Sequence, residues 1–323
     1  MRHGQADDPL AGGLPPVLVE SLAGRSGDPR TPGGPVDGDT WLARLPRTVG
    51  ELLSAWGLRP DGAPMAGTLA LVLPVRTADG EASALKVAWP GPSTAHEHLA
   101  LRVWGDEHAV RLLRADPGRY VQLLERAEAT DLNSMDVEEA CAVVGELLAR
   151  LQAPARPPFP KLSEQAAGWA HALRTATDMD AAFPQRFRLQ AASLAADLAA
   201  DCDDSLVVHM DLHYDNVLAS ARGRGPAWLA IDPDPVLGEP EACPAPLLWN
   251  RVDPRDGGAA LSWDIHNRID IVSEAAGLDA ERVRAWSLVR VVESTLDEVR
   301  HPTGNPHRDL ALRVRLAKAL QRR

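Results

Sequence analysis

The octapeptide HMDLHYDN, residues 209–216, places two aspartates, two histidines and an asparagine between two apolar runs. The first run ends at Val208 and the second begins at Val217. Phosphoryl transfer needs a base near the acceptor hydroxyl, oxygen ligands for a metal ion and a cation on the nucleotide phosphates. Asp211 and Asn216, on a predicted loop after a strand, have the right chemistry for the base and for one metal ligand.

A third candidate follows the next predicted strand. Asp232 closes the run Trp228–Ile231, sixteen residues after Asn216. A carboxylate at the end of one strand and an Asp–Asn pair on the neighbouring loop can converge on one point, as a catalytic base and two metal ligands do. The alternative is that Asp and Asn simply occupy polar turns. The position of Asp232 at a strand end weighs against that alternative.

A lysine lies inside an apolar strand predicted nearer the N-terminus. Lys86 is flanked by Leu85 and Val87, where a lysine on an edge strand could simply extend its amine to solvent. Glu97 follows eleven residues later and is the only acidic residue in the helical stretch 93–105. A kinase needs a strand lysine on the nucleotide phosphates, held by a glutamate on the following helix. The order and spacing of the pair fit that requirement.

The elements that must position these residues change character along the chain. A helix over 41–56, ended by Gly57, and a hairpin of strands 68–75 and 82–88 are predicted first. Shorter strands are predicted at 110–113 and 120–124. The remainder is mostly helical, with two embedded strands at 206–208 and 227–231; its predicted helices cover 136–151, 162–177, 187–201, 244–250, 262–276, 279–299 and 307–321.

A chain of 323 residues is long for one small core, which favours two lobes. Residues 1–38 are rich in Gly, Pro and Asp and are predicted to be mostly mobile. Residues 39–126 form the predicted small lobe, and residues 127–323 the helical lobe. The predicted fold class is α+β, a bilobal kinase-like fold with a small antiparallel β-rich N-lobe and a mainly helical C-lobe.

Charge and cysteine content exclude several classes of protein. The formal net charge of -11 argues against a nucleic-acid partner and suits a cationic small molecule. The three cysteines are far apart in the sequence, so neither a disulfide framework nor a zinc site is predicted. No apolar run is long enough for a membrane span or a signal core, so we expect a cytoplasmic protein without a membrane partner. Nothing implies a protein partner.

Several stretches together resemble one known family. They are LVLPV (71–75), ALKVAWP (84–90), HMDLHYDNVLA (209–219), WLAIDPDPVLGEP (228–240), APLLWNR (245–251) and LDAERVRAW (278–286). The sequence resembles the aminoglycoside phosphotransferase superfamily, specifically its streptomycin kinase and hydroxyurea-resistance kinase branch. The likeness runs from about residue 38 to residue 300, which is most of the chain.

The resemblance implies a role for each candidate. Asp211 corresponds to the catalytic base, and Asn216 and Asp232 correspond to the magnesium ligands. Lys86 would bind the nucleotide phosphates and Glu97 would orient Lys86. The implied cofactors are ATP, or another nucleoside triphosphate, and Mg²⁺. His209 matches a family histidine that would tie the loop to the helical lobe.

The chain also departs from the family pattern. Met210 replaces the usual glycine, and a methionine requires an ordinary backbone conformation at this position. Asp215 stands where a small residue is expected. The segment after Gly238 reads EPEACP instead of continuing to an aspartate, and the predicted phosphate-covering loop has one glycine, Gly67. These changes bear on turnover and substrate more than on fold.

The implied acceptor is a hydroxylated, cationic small molecule such as a streptomycin-like aminoglycoside, phosphorylated for resistance or in secondary metabolism. Carboxylates that could bind it are Asp234, Glu239, Glu241 and Asp264. Two alternatives stay open. One is a kinase for hydroxyurea or another small hydroxylated metabolite, and the other is a degenerate kinase fold that binds ligand without catalysis.

Overall fold

The computed structural model describes residues 10, 12–154, 158–223, 225–253, 257–300 and 310–321. The chain forms two compact units. The first comprises the chain up to Arg102 together with Val110–Ala127, and the second comprises Val103–Ala109 and Glu128–Arg323.

The first unit is built on an antiparallel sheet. Its elements are α1 (Pro16–Leu22), α2 (Gly38–Trp56), β1 (Arg59–Pro60), β2 (Met65–Ala66), β3 (Ala70–Arg76), β4 (Ala82–Ala88), α3 (Glu97–Trp104, whose last two residues belong to the second unit), β5 (Leu112–Asp116) and β6 (Val121–Glu125). The strand order is β1-β3-β4-β6-β5, with β2 also paired to β3. The register of β4 and β6 sets Lys86 opposite Gln122.

The core of this unit follows from apolar alternation. In β3, Leu71, Leu73 and Val75 are fully buried, as period-two alternation requires. They share one apolar cluster with the inner face of α2, including Leu45. The helix ends at Gly57, whose φ of 64° is the left-handed conformation that glycine adopts without steric cost. The predicted helix and hairpin are both present.

The N-terminal segment differs from the mobile stretch expected from its composition. Leu18 and Leu22, on α1, are fully buried in the apolar cluster of the first unit. The indole N–H of Trp89 donates to the carbonyl of Val36 at 2.8 Å. A helix of about two turns with two leucines on one face is therefore enough to attach a Gly- and Pro-rich segment. Residues 1–9 and 11 lie outside the described part of the chain.

The second unit is mainly helical. Its elements are α4 (Val137–Arg150), β7 (Ala153–Pro154), α5 (Leu162–Thr175), α6 (Gln185–Asp201), β8 (Leu206–His209), β9 (Val217–Ala219), β10 (Trp228–Ala230), β11 (Pro235–Gly238), α7 (Ala245–Trp249), α8 (Gly258–Ala276), α9 (Ala280–Arg300) and α10 (Leu310–Ala319). Strands β9 and β10 form an antiparallel hairpin, and β8 lies between β11 and β7. The short strands β7 and β11 were not predicted, because neither has a run long enough to show alternation.

Apolar faces of α5 to α10 close the core of this unit, with Trp286 on α9 fully buried. Cys141, Cys202 and Cys243 are all free thiols. No helix within the described ranges is both long enough and apolar enough to cross a bilayer.

Candidate active site

The polar loop HMDLHYDN is anchored by a strand at each end. It leaves β8 at His209, which pairs with Pro235 of β11. It enters β9 at Val217, which pairs with Ala230 of β10. One more ladder bond extends this hairpin, because the N–H of Ile231 donates to the carbonyl of Asn216 at 2.9 Å. Asp232, the next residue, is thereby placed beside Asn216.

Asn216 is held against Asp211. Its amide Nδ2 donates to the carbonyl oxygen of Asp211 at 2.8 Å and lies 3.4 Å from the carboxylate Oδ2 of the same residue. Asn216 is 7% exposed, whereas the carboxylate of Asp211 is about half exposed. With Nδ2 committed to Asp211, Oδ1 is the atom of Asn216 suited to a cation. Asp211 keeps a solvent-facing carboxylate that can meet an incoming hydroxyl.

Asp232 has an unusual backbone conformation. Its φ is +53°, in the left-handed region that costs most L-residues about 1–2 kcal/mol and that Asp and Asn tolerate best. Its side chain is exposed. The carboxylate of Asp232 and Oδ1 of Asn216 are hard oxygen donors of the kind that Mg²⁺ prefers, usually with waters and substrate phosphates as further ligands. The residues present therefore fit a magnesium ion.

His209 links the main chain of Asp211 to that of Ile231. Its Nε2 donates to the carbonyl of Ile231 at 3.0 Å, and its Nδ1 accepts the main-chain N–H of Asp211 at 3.2 Å. The ring stacks on Trp104, with centroids 5.9 Å apart and an interplanar angle of 5°. Burial lowers the pKa of His209, which favours the neutral ring that this pattern of one donor and one acceptor needs.

His213 lies between two carboxylates. Its Nε2 is 3.7 Å from Oδ2 of Asp211, and its Nδ1 is 3.1 Å from Oδ2 of Asp215. Burial by itself lowers the pKa of His213, but the hydrogen bonds and charges of the two aspartates outweigh it and raise the pKa to about 10. Oδ1 of Asp215 accepts a hydrogen bond of 2.6 Å from Nδ2 of Asn133.

Met210 occupies the position of the expected glycine without strain. Its φ is not in the positive region, and its side chain is 1% exposed. Its N–H donates to the carbonyl of Asp234 at 2.9 Å, and its carbonyl accepts from Arg290 at 3.3 Å. The backbone here is ordinary, so a larger side chain is accommodated.

In the first unit, Lys86 and Glu97 form a buried ion pair. Nζ of Lys86 lies 2.5 Å from Oε2 of Glu97, and the two residues are 5% and 2% exposed. The same Oε2 accepts a 2.7 Å hydrogen bond from Nε2 of Gln122. A buried charge pair needs such additional hydrogen bonds to offset its desolvation. Glu97 is therefore fixed from two sides, and the lysine amine is fixed with it.

Of the predicted substrate carboxylates, Glu239 and Asp264 are occupied by arginines. Both oxygens of Glu239 accept from Arg282, at 2.6 and 2.8 Å, and Oε1 also accepts from the indole of Trp286. Asp264 makes a two-bond pair with Arg268, at 3.0 and 2.8 Å. The structure therefore differs from the sequence expectation for these two residues, because the carboxylate of Glu239 already pairs with α9 and that of Asp264 already pairs with Arg268 within α8.

Asp234 and Glu241 are half-buried and make no side-chain hydrogen bond within the described residues. Burial, together with the charge of Asp211, raises the pKa of Asp234 to about 7. These two carboxylates stay predicted substrate contacts.

Solved structures share this fold. The choline kinase LicA from Streptococcus pneumoniae aligns with a TM-score of 0.58 at 15% identity, covering 86% of this chain and 99% of that chain. The likeness establishes a protein-kinase-like phosphotransferase fold and confirms the predicted α+β class, with its antiparallel β-rich part and its mainly helical part.

The sequence comparisons assign the chain to a family within this fold. The model of the aminoglycoside/hydroxyurea antibiotic resistance kinases matches residues 55–300, so the chain belongs to that family and is a phosphotransferase. The streptomycin 6-kinase of Streptomyces griseus is 35% identical over 293 residues, covering 88% of this chain and 91% of that one. The hydroxyurea phosphotransferase of Kitasatospora aureofaciens is 39% identical over 286 residues, covering 86% and 81%. The resemblance drawn from the motifs is confirmed.

Gln122, Trp104 and Asn133 contact the predicted site residues and were themselves not predicted from the sequence. Gln122 could have been found from the register of its strand against that of Lys86. Trp104 and Asn133 carry no local signal, since each reaches its partner only through the fold.

Proposed function

We propose that this protein transfers the γ-phosphoryl group of ATP to an alcohol group of a streptomycin-like aminoglycoside, in antibiotic resistance or in secondary metabolism. The observation that carries the proposal is the hydrogen-bonded pair of Asp211 and Asn216, with Asp232 beside it. Family membership supports the reaction class. Since ATP is a cytoplasmic metabolite, we propose the cytoplasm as the place of action.

In the proposed mechanism, Asp211 accepts a hydrogen bond from the acceptor hydroxyl and takes its proton as the oxygen attacks the γ-phosphorus. The new oxygen–phosphorus bond forms while the bond from the γ-phosphorus to the bridging oxygen breaks, and ADP leaves. Asn216 donates to the main-chain carbonyl of Asp211, and its Nδ2 lies 3.4 Å from the carboxylate Oδ2, so it would help to hold Asp211 in place. His209 holds the main chain of Asp211 in place.

The nucleotide is bound through charge. Asn216 and Asp232 would hold Mg²⁺, which neutralises the phosphate oxygens when it is bound. Lys86, kept in one rotamer by Glu97, would donate to the phosphates. Another nucleoside triphosphate would meet the same groups.

Asp234 and Glu241 are the proposed contacts for a cationic acceptor. Both are half-buried carboxylates, and Asp234 is close enough to Asp211 for their charges to interact. A guanidinium or ammonium group bound there would bring a neighbouring hydroxyl toward the base.

Hydroxyurea is the second candidate acceptor, because the identity to a hydroxyurea phosphotransferase, 39%, exceeds the 35% to the streptomycin 6-kinase. Its hydroxyl group needs the same base and the same magnesium ligands. It needs no carboxylates for cation binding.

The test is incubation of the purified protein with ATP, Mg²⁺ and a panel containing streptomycin, other aminoglycosides and hydroxyurea, with mass spectrometry of the acceptor. We expect a phosphorylated aminoglycoside, and Asp211→Asn is expected to lower kcat by about 1,000-fold or more. The matched control is Asp197→Asn, an exposed aspartate on α6, which should keep full activity. Full activity of the Asp211 variant would overturn the assignment of the base.

Phosphorylation of hydroxyurea alone would select the second acceptor. If no acceptor is phosphorylated, the protein is a ligand-binding protein without catalysis. Thermal unfolding then shows whether it still binds nucleotide. If ATP with Mg²⁺ fails to raise the melting temperature, nucleotide binding itself is lost.

A further inference from the structure

Asp215 and Asn133 form a contact beside the base that the proposed mechanism does not use. Asn133 lies on the turn after Asp131, and its Nδ2 donates to Oδ1 of Asp215 at 2.6 Å. The same Nδ2 also donates to Oδ2 of Asp131 at 3.0 Å, and the main-chain N–H of Asn133 donates to Oδ1 of Asp131 at 2.8 Å. The amide of Asn133 is thus fixed before it meets the loop.

The segment that carries Asn133 is itself attached to the catalytic loop. Arg251 donates to the carbonyls of Leu132 and Met135, at 3.2 and 2.7 Å, and its guanidinium lies over the ring of Tyr214, 5.0 Å from the centroid. Asp131 bridges to Leu218 in β9. These contacts lie on both sides of the Asn133–Asp215 hydrogen bond, so its donor has a rigid support.

The second oxygen of Asp215 turns toward the base. Oδ2 lies 3.1 Å from Nδ1 of His213, and the opposite nitrogen of that ring, Nε2, is 3.7 Å from Oδ2 of Asp211 and 3.3 Å from Nδ2 of Asn216. His213 is mostly buried, with 18% of its side chain exposed. A chain of contacts therefore runs from a fixed amide, through a carboxylate and an imidazole, to the side of the base.

We propose that Asp215 and Asn133 are positioning residues, which fix the His213 ring against the carboxylate of Asp211 and thereby hold that carboxylate in its productive direction. The inference rests on the proposed function, since it takes Asp211 as the base. Supporting hydrogen bonds of this kind typically change rate by about 10- to 100-fold, because a catalytic group displaced by about 1 Å loses much of its effectiveness.

The kinetic test uses Asn133→Ala, Asp215→Ala and the double variant. Each single variant should lower kcat about 10- to 100-fold, with KM for ATP and for the acceptor changed by less than about twofold, because binding groups are untouched. The double variant should be no slower than Asp215→Ala, because the hydrogen bond that Asn133→Ala removes is already lost in Asp215→Ala. Independent, multiplying losses in kcat would overturn the proposal.

The matched control is Asn267→Ala. Nδ2 of Asn267 donates to Oε1 of Glu138 at 2.8 Å, which is a chemically equivalent exposed Asn–carboxylate pair in the same unit. This variant should keep the kcat of the parent. An equal loss in the control would assign the effect to general destabilisation and would also overturn the proposal.

A second measurement tests the positioning of the His213 ring without relying on catalysis. Proton–nitrogen spectra of protein with ¹⁵N-labelled histidine report each imidazole, and a His213→Gln variant assigns the signals of His213. These signals should move in Asn133→Ala and stay unchanged in Asn267→Ala. Unchanged His213 signals in both variants would refute the positioning, whereas a parent protein that phosphorylates no acceptor would refute the proposed function and leave the spectral result standing.

Discussion

At the scale of single residues, Asp232 combines a proposed metal-binding carboxylate with a left-handed backbone. Its φ of +53° is sterically costly for most side chains, and it lies directly after the Ile231–Asn216 ladder bond. Strain of this kind concentrates at functional sites, where the surrounding structure holds it in place. The hairpin β9–β10 supplies that support here.

The backbone and ligand roles of Asp232 can be separated by two substitutions. Asp232→Asn keeps a residue that tolerates the left-handed region, so the free energy of unfolding should stay close to that of the parent while the Mg²⁺ concentration for half-maximal activity rises. Asp232→Ala should raise the Mg²⁺ requirement in the same way and should also lower the free energy of unfolding by about 1 kcal/mol. Urea unfolding and magnesium titrations measure the two effects. Equal stability of both variants would count against backbone strain.

At the scale of elements, Glu239 joins the end of β11 to α9 through Arg282 and Trp286. Glu241, two residues later, has a half-buried side chain. Their neighbouring positions make them a matched pair of glutamates with different expected roles, one structural and one in acceptor binding.

Glu239→Gln should lower the free energy of unfolding by about 1–3 kcal/mol, because it removes the buried carboxylate that accepts from Arg282 and Trp286 and leaves Arg282 with its exposed pair to Asp201. The KM for a cationic acceptor should change little in this variant. Glu241→Gln should show the reverse, with unchanged stability and a raised KM. Urea unfolding and initial-rate kinetics on both proteins provide the measurement. If Glu239→Gln instead raises KM and leaves the stability unchanged, Glu239 contacts the substrate and the structural role is wrong.

The Lys86–Glu97 pair couples β4 to α3 within the first unit. Lys86→Met should abolish nucleotide-dependent stabilisation and lower the free energy of unfolding by about 3 kcal/mol or more, because the buried carboxylate of Glu97 loses the ammonium group that it pairs with. The double variant Lys86→Met/Glu97→Gln should recover part of that stability but no activity. Thermal unfolding with and without ATP and Mg²⁺ checks both statements.

Lys161→Met serves as the control for this pair. Lys161 lies 3.8 Å from Glu164 in an exposed pair on the surface of the second unit. Such pairs contribute about 0–1 kcal/mol, so the variant should unfold like the parent and bind nucleotide normally. A double variant less stable than Lys86→Met would contradict the buried-charge explanation.

At the scale of the whole molecule, 45 acidic residues against 34 basic ones give a formal net charge of -11. A negative field attracts polycations over distances that salt shortens, from a Debye length of about 30 Å at 0.01 M to about 10 Å at 0.1 M. KM for streptomycin should therefore rise about threefold or more across this range. KM for hydroxyurea, which is uncharged, should stay constant and provides the internal control. Equal salt dependence for both acceptors would exclude long-range steering.

The sequence by itself determined what depends on local period and spacing. Alternation predicted the hairpin of β3 and β4, helical periodicity predicted α2 and its end at Gly57, and motif spacing identified the family. Asp211 and Asn216 could be selected because their chemistry is concentrated in one loop. These features need only neighbouring residues, so one sequence is enough to find them.

Only the tertiary structure decided which partners meet over long separations. Asn133 and Asp215 are 82 residues apart, and no local pattern marks either as the partner of the other. Glu239 was a substrate candidate because its carboxylate follows the catalytic region in the sequence, but in the structure that carboxylate pairs with Arg282 of α9. Packing between distant parts of the chain also explains α1, whose two buried leucines attach a segment expected to be mobile. Such contacts form because strands and helices distant in the chain pair to bury apolar surface, and side chains then find partners that spacing does not encode.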